Sequence, residues 1–236
     1  MTLFLLIQTT AQEALPVLSG VNEEATEVVK QMRFFDMAVK GGWLMIPLVL
    51  LSILAIYIFI ERLITLNAAS KDDPSFMKRI RDHIHEEQID SSIKLCKQVN
   101  TPLSRMIEKG ITQIGRPMHD VQVSIENVGN IEVAQLEKGL SILASVAGGA
   151  PMIGFLGTVT GMVRAFFDMA NAGTNVDIIV LSSGIYTAMV TTVAGLIVGI
   201  SAYFAYNYLV TRVNKIVNNM EAKTMEFMDL LNEPVK

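Results

Sequence analysis

The chain has 236 residues, of which 51% are hydrophobic and 18% are charged, and its mean hydropathy is +0.42. Because the charged residues are confined to separate stretches, this composition excludes an ordinary soluble domain and indicates a helical protein that crosses a membrane several times. The net charge of −4 gives no reason to expect nucleic-acid binding, and the single cysteine, Cys96, excludes a disulfide bond within the chain.

The first segment, residues 1–42, precedes the apolar stretches. A short apolar run followed by small residues is typical of a signal peptide that is cut after Ala11, and the alternative is an N-terminus without fixed structure. Residues 21–40 place apolar and acidic side chains at helical spacing. This pattern predicts a short amphipathic helix, which either lies along the membrane surface or simply connects to the next segment.

Residues 43–60 predict the first transmembrane helix. Trp43 suits the membrane interface, and Glu61 and Arg62 follow the apolar run. The segment is rich in Leu and Ile, and Ser52 is its only serine or threonine. We therefore expect this helix to face lipid.

Residues 61–140 are predicted to form a water-exposed insertion made of helices. Breaks are expected around Pro102 and Pro117, which gives three helices at about residues 74–98, 102–114 and 118–140. The last of these is expected to continue without interruption into the next apolar segment. The three histidines, His83, His85 and His119, lack the arrangement of a metal site, and no metal is expected.

Residues 141–167 predict the second transmembrane helix. No charged side chain occurs from Ser141 to Val163, which is long enough to cross about 30 Å of hydrocarbon. Gly157 and Gly161 form a Gly-x-x-x-Gly pair, and this spacing lets two helix backbones approach closely in a bilayer. The full set of predicted helix-packing glycines is Gly154, Gly157, Gly161, Gly195 and Gly199.

Residues 168–177 predict a short polar turn, and residues 178–210 predict the third transmembrane helix. A charge-free segment of that length would span about 50 Å as a helix, so it must tilt or extend beyond the bilayer. Residues 211–236 are charged and amphipathic and continue it into water. Because the turn has no Lys or Arg while the insertion and the tail do, we expect the turn and the N-terminus outside and the C-terminus in the cytoplasm.

Two stretches resemble the signatures of a known family. Residues 149–162, GAPMIGFLGTVTGM, are similar to the APLLGLLGTVxGM motif of the ExbB/TolQ/MotA proton-channel family. Residues 184–196, GIYTAMVTTVAGL, resemble its third-helix motif, GIxxALxxTxxGL. The order of three crossings and the large insertion also match, and the resemblance is greatest to the ExbB branch, followed by TolQ.

This resemblance implies a multi-pass inner-membrane protein with a periplasmic N-terminus that forms a homo-oligomeric ring, typically a pentamer. The ring would surround an ExbD-like single-span partner, and proton flow would drive motion passed to a TonB-like protein and to outer-membrane transport. The pore threonine of the family falls on Thr158, and its third-helix threonine falls on Thr192. Thr187 stands where many relatives carry a glutamate.

The residues themselves limit the mechanism. Neither 141–163 nor 178–210 contains an Asp, Glu, Lys, Arg or His, so this chain cannot bind and release a proton in mid-membrane. We therefore expect an aspartate of a partner to carry the proton, because ionisable groups persist in membranes where function requires them. Counting from Phe167 and Ile178 places Thr158 and Thr187 at one depth. The predicted pore-lining residues are Thr158, Thr187, Thr191 and Thr192.

Other interpretations remain open. The threonines could be interhelical contacts worth about 0.6–2 kcal/mol each, in which case the chain would be a structural membrane scaffold. Within the family, a TolQ-like role in a Tol-Pal envelope system is the alternative. A phosphate-binding loop is excluded, because Phe155 stands where its lysine is required. With no nucleophile–base pair or metal cluster in the sequence, neither an enzyme nor a cofactor is expected.

Overall fold

The computed structural model describes residues 42–70, 73–171 and 178–232. The expected signal peptide and the expected amphipathic helix of residues 21–40 lie outside the described residues, as does most of the polar turn. Within the described part, the chain is entirely helical apart from short connections.

Seven helices occur in the described ranges, numbered here in chain order. They are α1 (Met45–Ala69), α2 (Phe76–His85), α3 (Ile89–Val99), α4 (Pro102–Ile111), α5 (Met118–Glu137), α6 (Leu140–Asn171) and α7 (Ile178–Asn232). Three stretches are long and apolar enough to cross a membrane: α1, α5 taken together with α6, and α7. The expected all-α membrane architecture, with three crossings of which two belong to long helical stretches, is confirmed.

The first helix continues past Ile60, where the apolar run ends, to Ala69. Glu61 and Arg62 are both good helix formers, and they pair with each other, with Arg62 Nη2 lying 2.5 Å from Glu61 Oε1. Arg62 is only 8% exposed, and its Nη1 donates a 3.1 Å hydrogen bond to the main-chain carbonyl of Gln135 on α5. Arg62 therefore anchors α1 to α5.

The insertion contains four helices where three were expected, because the predicted helix at 74–98 is broken. Glu87 has a φ of 60° and separates α2 from α3. The break before Pro102 occurs as expected, since Asn100 ends α3 in the left-handed region. Thr101 then caps α4: its hydroxyl accepts from the Ser104 main-chain N–H at 3.3 Å, and Ser104 Oγ accepts from the Thr101 N–H at 2.9 Å.

The expectation of an uninterrupted helix from residue 118 into the membrane is wrong. Lys138 adopts an extended conformation with ψ 131°, and Gly139 has a φ of 82°, so α5 ends and α6 begins anew at Leu140. Glycine is the residue that enters this left-handed region without steric cost. The apolar pattern runs through the break, because Leu136 and Leu140 are both buried on either side of it.

The last helix, α7, is a single helix of 55 residues and therefore about 82 Å long. Its apolar half packs against α6 and α1, and its amphipathic half packs against α4 and α5 in a bundle. Phe227 is fully buried there, where a Cβ at Gly110 of α4 would lie 2.6 Å from the Phe227 ring. The end of α7 is thus fixed to the insertion.

A buried ion pair joins α4 to α5 in this bundle. Arg105 donates two hydrogen bonds to the carboxylate of Glu132, from Nε to Oε1 at 2.7 Å and from Nη2 to Oε2 at 2.6 Å. Arg105 Nη1 also donates to the side chain of Asn100 at 2.9 Å. This pairing raises the pKa of Arg105, and it satisfies a carboxylate that is almost fully buried.

Candidate functional site

Helices α6 and α7 run antiparallel and their backbones touch along a seam of small residues. A Cβ on Gly195 would lie 2.6 Å from the carbonyl oxygen of Ala150 and 2.9 Å from the Cα of Gly154. Backbone atoms cannot move aside as a flexible side chain can, so only glycine fits at this position. Small residues allow this close approach in a membrane, where packing must replace the hydrophobic effect between helices.

The same contact continues along the whole seam. A Cβ at Gly157 would meet the Thr191 side chain at 2.7 Å, and one at Gly161 would meet the Ala188 Cβ at 2.8 Å. Further down, Gly199 lies against Pro151. All five glycines singled out in the sequence, Gly154, Gly157, Gly161, Gly195 and Gly199, lie in this seam.

Two threonines of α7 lie in the seam with different partners. The Thr192 hydroxyl donates a 2.9 Å hydrogen bond to the main-chain carbonyl of Gly154, and so joins the two helices. Thr191 is only 1% exposed and donates to its own helix, to the carbonyls of Thr187 at 2.9 Å and Ala188 at 3.1 Å. Thr192 therefore links the helices, while Thr191 fills the space beside Gly157.

The hydroxyls of α6 donate within their own helix. Thr158 is partly exposed, and its Oγ1 donates to the carbonyl of Phe155 at 2.6 Å. Thr160 donates to the carbonyl of Leu156 at 2.9 Å. In this structure the protons of the Thr158 and Thr192 hydroxyls are thus committed to carbonyls, and the oxygen atoms retain lone pairs that can accept.

The seam also fixes which residues share a depth. Gly157 lies against Thr191, so its neighbour Thr158 is level with Thr191 and Thr192. Thr187 lies about one turn, or about 5 Å, further toward the α6–α7 connection. The expectation of one depth for Thr158 and Thr187 is therefore wrong. The count began at Phe167, whereas α6 continues to Asn171.

The threonines also differ in the side of the seam on which they lie. Thr192 and Thr187 are five residues apart, so they point about 140° apart around α7. Thr158 follows Gly154 by one turn on the same face of α6, and it therefore lies on the Thr192 side. The Thr187 Cγ2 lies 4.0 Å from the position that a Cβ of Gly42 would take, just before α1. Thr158 and Thr192 thus lie at one level and on one side of the seam, and the pore roles of Thr158, Thr187, Thr191 and Thr192 all stay predictions.

The charged residues nearest to the seam are Arg164 and Asp168, both exposed toward the end of α6. Within the described residues, no group of three or more His, Cys, Asp and Glu could hold a metal ion. The seam consequently offers hydroxyl oxygens and backbone carbonyls as its polar groups, and residues 141–163 and 178–210 contain no Asp, Glu, Lys, Arg or His.

Three long apolar stretches and an antiparallel helix pair packed on glycines define a multi-pass membrane protein. Residues 98–222 match the MotA/TolQ/ExbB proton channel family. The match covers more than half of the chain, and the chain belongs to this family.

The curated relatives include proteins named ExbB and a protein named TolQ. The chain is 25% identical to the biopolymer transport protein ExbB of Neisseria meningitidis over 201 residues, which cover 79% of the chain and 90% of that protein. It is 33% identical to the Tol-Pal system protein TolQ of Haemophilus influenzae over 136 residues, covering 58% and 55%. A match at 26% identity to an ExbB homolog of Methanothermobacter thermautotrophicus covers 73% of this chain but only 62% of that relative.

Proposed function

We propose that this protein is the proton-channel subunit of an ExbB–ExbD-type motor in the bacterial inner membrane, which uses the proton motive force to energise TonB-dependent outer-membrane transport. The observation that carries the proposal is the pairing of Thr158 and Thr192 at one depth and on one side of a seam without titrating groups. Family membership and the similarity to an ExbB protein support it further.

The proposed mechanism divides the work between two chains. An ExbD-like single-span partner contributes a membrane aspartate, and this chain contributes the surface on which that aspartate sits. Because the hydroxyl protons of Thr158 and Thr192 are committed to carbonyls, their oxygen atoms accept hydrogen bonds. An acceptor stabilises the protonated carboxyl, which has a proton to donate, more than the carboxylate. The two hydroxyl oxygens therefore favour the protonated aspartate of the partner in mid-membrane. The aspartate would release its proton at the two ends of the channel.

The assembly that we propose is a homo-oligomeric ring, pentameric by the resemblance, with the N-terminus periplasmic and the C-terminus cytoplasmic. Large apolar side chains stand exposed on both seam helices, among them Met152 and Phe155 on α6 and Met189 on α7. In a membrane protein such surfaces contact lipid or other subunits. The exposed apolar faces are therefore compatible with a ring in which several copies of the seam surround the partner.

The test is proton flux into liposomes that contain the protein with its single-span partner. The Thr158→Val and Thr192→Val double variant keeps side-chain shape and removes both acceptors, so we expect a properly assembled complex with flux reduced at least tenfold. Thr160→Val is the matched control, because its hydroxyl also donates to its own helix but lies outside the pair. Normal flux through a correctly assembled double variant would overturn the pore, and absence of flux from the unaltered complex would favour a structural scaffold.

A TolQ-like role in a Tol-Pal system is the second candidate, and the 33% identity to the Haemophilus influenzae TolQ favours it. The two roles differ in what a deletion strain loses. Loss of TonB-dependent uptake, restored by this chain, supports the ExbB role. Loss of envelope constriction at division with normal uptake would assign the chain to the TolQ branch instead.

A further inference from the structure

A groove separates α1 from α7 on the stripe of α7 that does not contact α6. Its volume is about 470 Å³. Six of the residues that line it are Ser52, Ala55 and Phe59 on α1 and Ser201, Ala205 and Tyr208 on α7. The lining is almost entirely apolar, and it lies within the first and third predicted crossings.

The groove exists because small residues form its floor and aromatic rings form its walls. Ala55 and Ala202 are buried where the two helices come closest. The rings of Phe59 and Tyr208 meet at one end with centroids 6.4 Å apart, and Phe204 stands exposed along the side. The space is consequently a slot bounded by rings and open to the surroundings, and it faces the region that lipid would occupy.

The length of the groove corresponds to one leaflet. Its lining on α7 runs from Ile197 to Tyr208, which is about 16 Å along a helix. Half of a hydrocarbon core is about 15 Å. A helix about 10 Å across and of this length would occupy about 1,200 Å³, so it could not lie wholly within a groove of about 470 Å³. An extended hydrocarbon chain is the apolar object with matching dimensions.

Two cations stand directly beyond the end of the groove. The Arg212 guanidinium lies 5.6 Å from the centre of the Tyr208 ring, and its Nε donates to the Tyr208 hydroxyl at 3.2 Å. Lys215 follows by three residues, which places it on the same face of α7. Within the part of the chain that the structure describes, neither cation forms an ion pair with an acidic side chain. Their charge is therefore available to an anion at headgroup level.

We propose that this groove binds an anionic phospholipid of the cytoplasmic leaflet, with one acyl chain between α1 and α7 and its phosphate at Arg212 and Lys215. Basic residues just outside a crossing attract anionic lipids on the cytoplasmic side. The bound chain fills a gap that the protein leaves between two helices and so fixes the position of α1. The proposal concerns a different pair of helices from the seam and does not rest on the proposed proton channel.

Native mass spectrometry of the complete complex tests the proposal, after titration with phosphatidylglycerol or with phosphatidylcholine of the same acyl chains. The unaltered protein should retain phosphatidylglycerol at least tenfold better. Arg212→Gln with Lys215→Gln should remove that preference and leave weak binding of both lipids. Ala205→Phe fills the groove and should remove binding of both. The matched controls are Ile200→Phe, which adds a ring on an exposed part of α7, and Lys94→Gln, which removes a charge from the insertion.

The proposal would be overturned by equal retention of the two lipids, by retention that is unchanged in Ala205→Phe, or by the same loss in the two controls. Soluble glycerol 1-phosphate distinguishes a lipid site from a phosphate site, and we expect it not to displace the lipid. Displacement would show that a free phosphate suffices and would contradict the acyl chain in the groove.

Discussion

The hydroxyl of Thr192 donates a 2.9 Å hydrogen bond to the main-chain carbonyl of Gly154, across the line where α7 meets α6. Thr192→Val keeps the shape of the side chain and removes this bond, so we expect a loss of about 0.6–1.7 kcal/mol in unfolding free energy, as for other interhelical bonds in membranes. Thr192→Ser keeps the hydroxyl and should retain most of the unfolding free energy that this bond contributes. Thermal unfolding in detergent measures the difference.

The control for this prediction is Thr160→Val, which removes a hydroxyl that donates only to carbonyls of its own helix. Equal destabilisation by both valine variants would show that the bond across the seam contributes nothing specific.

Gly195 is the seam glycine at which an added Cβ would come closest to backbone atoms of the other helix. In Gly195→Ala the new methyl group would lie 2.6 Å from the Ala150 carbonyl oxygen and 2.9 Å from the Gly154 Cα, and neither atom can turn away. The two helices must separate, at a cost of about 1–3 kcal/mol typical of overpacking. We expect lower thermal stability and a reduced yield of assembled complex on size-exclusion chromatography.

Gly148→Ala is the matched substitution on α6, because a Cβ there would have no atom within 4 Å in this chain. It should be neutral or stabilising by up to about 1 kcal/mol, since alanine favours helix more than glycine does. If Gly148→Ala abolished assembly while Gly195→Ala did not, the close contact of the seam would be irrelevant to the assembled protein.

The sequence was sufficient to predict the membrane class, the three crossings and the family, because these depend on long charge-free segments and on two motifs. It did not reveal the breaks at Glu87 and Gly139. Both lie inside continuous amphipathic patterns, and a single residue with positive φ leaves that pattern unchanged. Asn100-Thr101-Pro102 was predictable because a left-handed cap, a capping hydroxyl and a proline occur together there.

The candidate site was predictable as a set of residue types but not as a geometry. The relative depth of Thr158 and Thr187 depends on where α6 ends, and the polar residues before Asn171 gave no signal for that end. The side to which Thr187 points depends on how α7 is rotated relative to α1, and the local sequence pattern does not indicate that rotation. In the sequence, Arg212 and Lys215 are two basic residues of the charged tail, which predicts only orientation. Their place beside a groove depends on the packing of α1 on α7.

The ion pair between Arg105 and Glu132 should be the most sensitive polar contact of the bundle. Glu132→Gln leaves the Arg105 guanidinium without its bidentate carboxylate. Because that guanidinium is about one third exposed and water can solvate it, we expect a loss of about 1–3 kcal/mol in unfolding free energy. Lys97→Gln is the comparison, because the Lys97 Nζ lies 3.8 Å from the Glu108 carboxylate and its side chain is 67% exposed. Exposed pairs contribute less than about 1 kcal/mol. Chemical denaturation measures the unfolding free energy of both variants. Equal losses of unfolding free energy would contradict the expected effect of burial.

Cys96 offers a test of the bundle that depends on pH. Burial, with a smaller contribution from the Glu108 carboxylate, raises the pKa of the Cys96 thiol to about 12. At pH 8 the folded protein should therefore react with iodoacetamide about three orders of magnitude more slowly than the unfolded chain, whose thiol has a pKa of about 8.5. Because the chain has one cysteine, the labelling needs no separation of sites. Rapid labelling of the folded protein would show that this thiol is not buried.

The same shift fixes the sign of a pH effect on stability. The folded state holds the proton of Cys96 more tightly than the unfolded state, so this thiol adds no pH dependence below about pH 8.5. Above that pH the unfolded chain loses its proton first, and stability should fall by up to about 1.4 kcal/mol per pH unit. Cys96→Ala lacks this contribution while leaving the rest of the bundle to titrate as before. The free energy of unfolding of the two proteins should therefore diverge between pH 8.5 and 10, and parallel curves over that interval would refute the burial of the thiol as the cause.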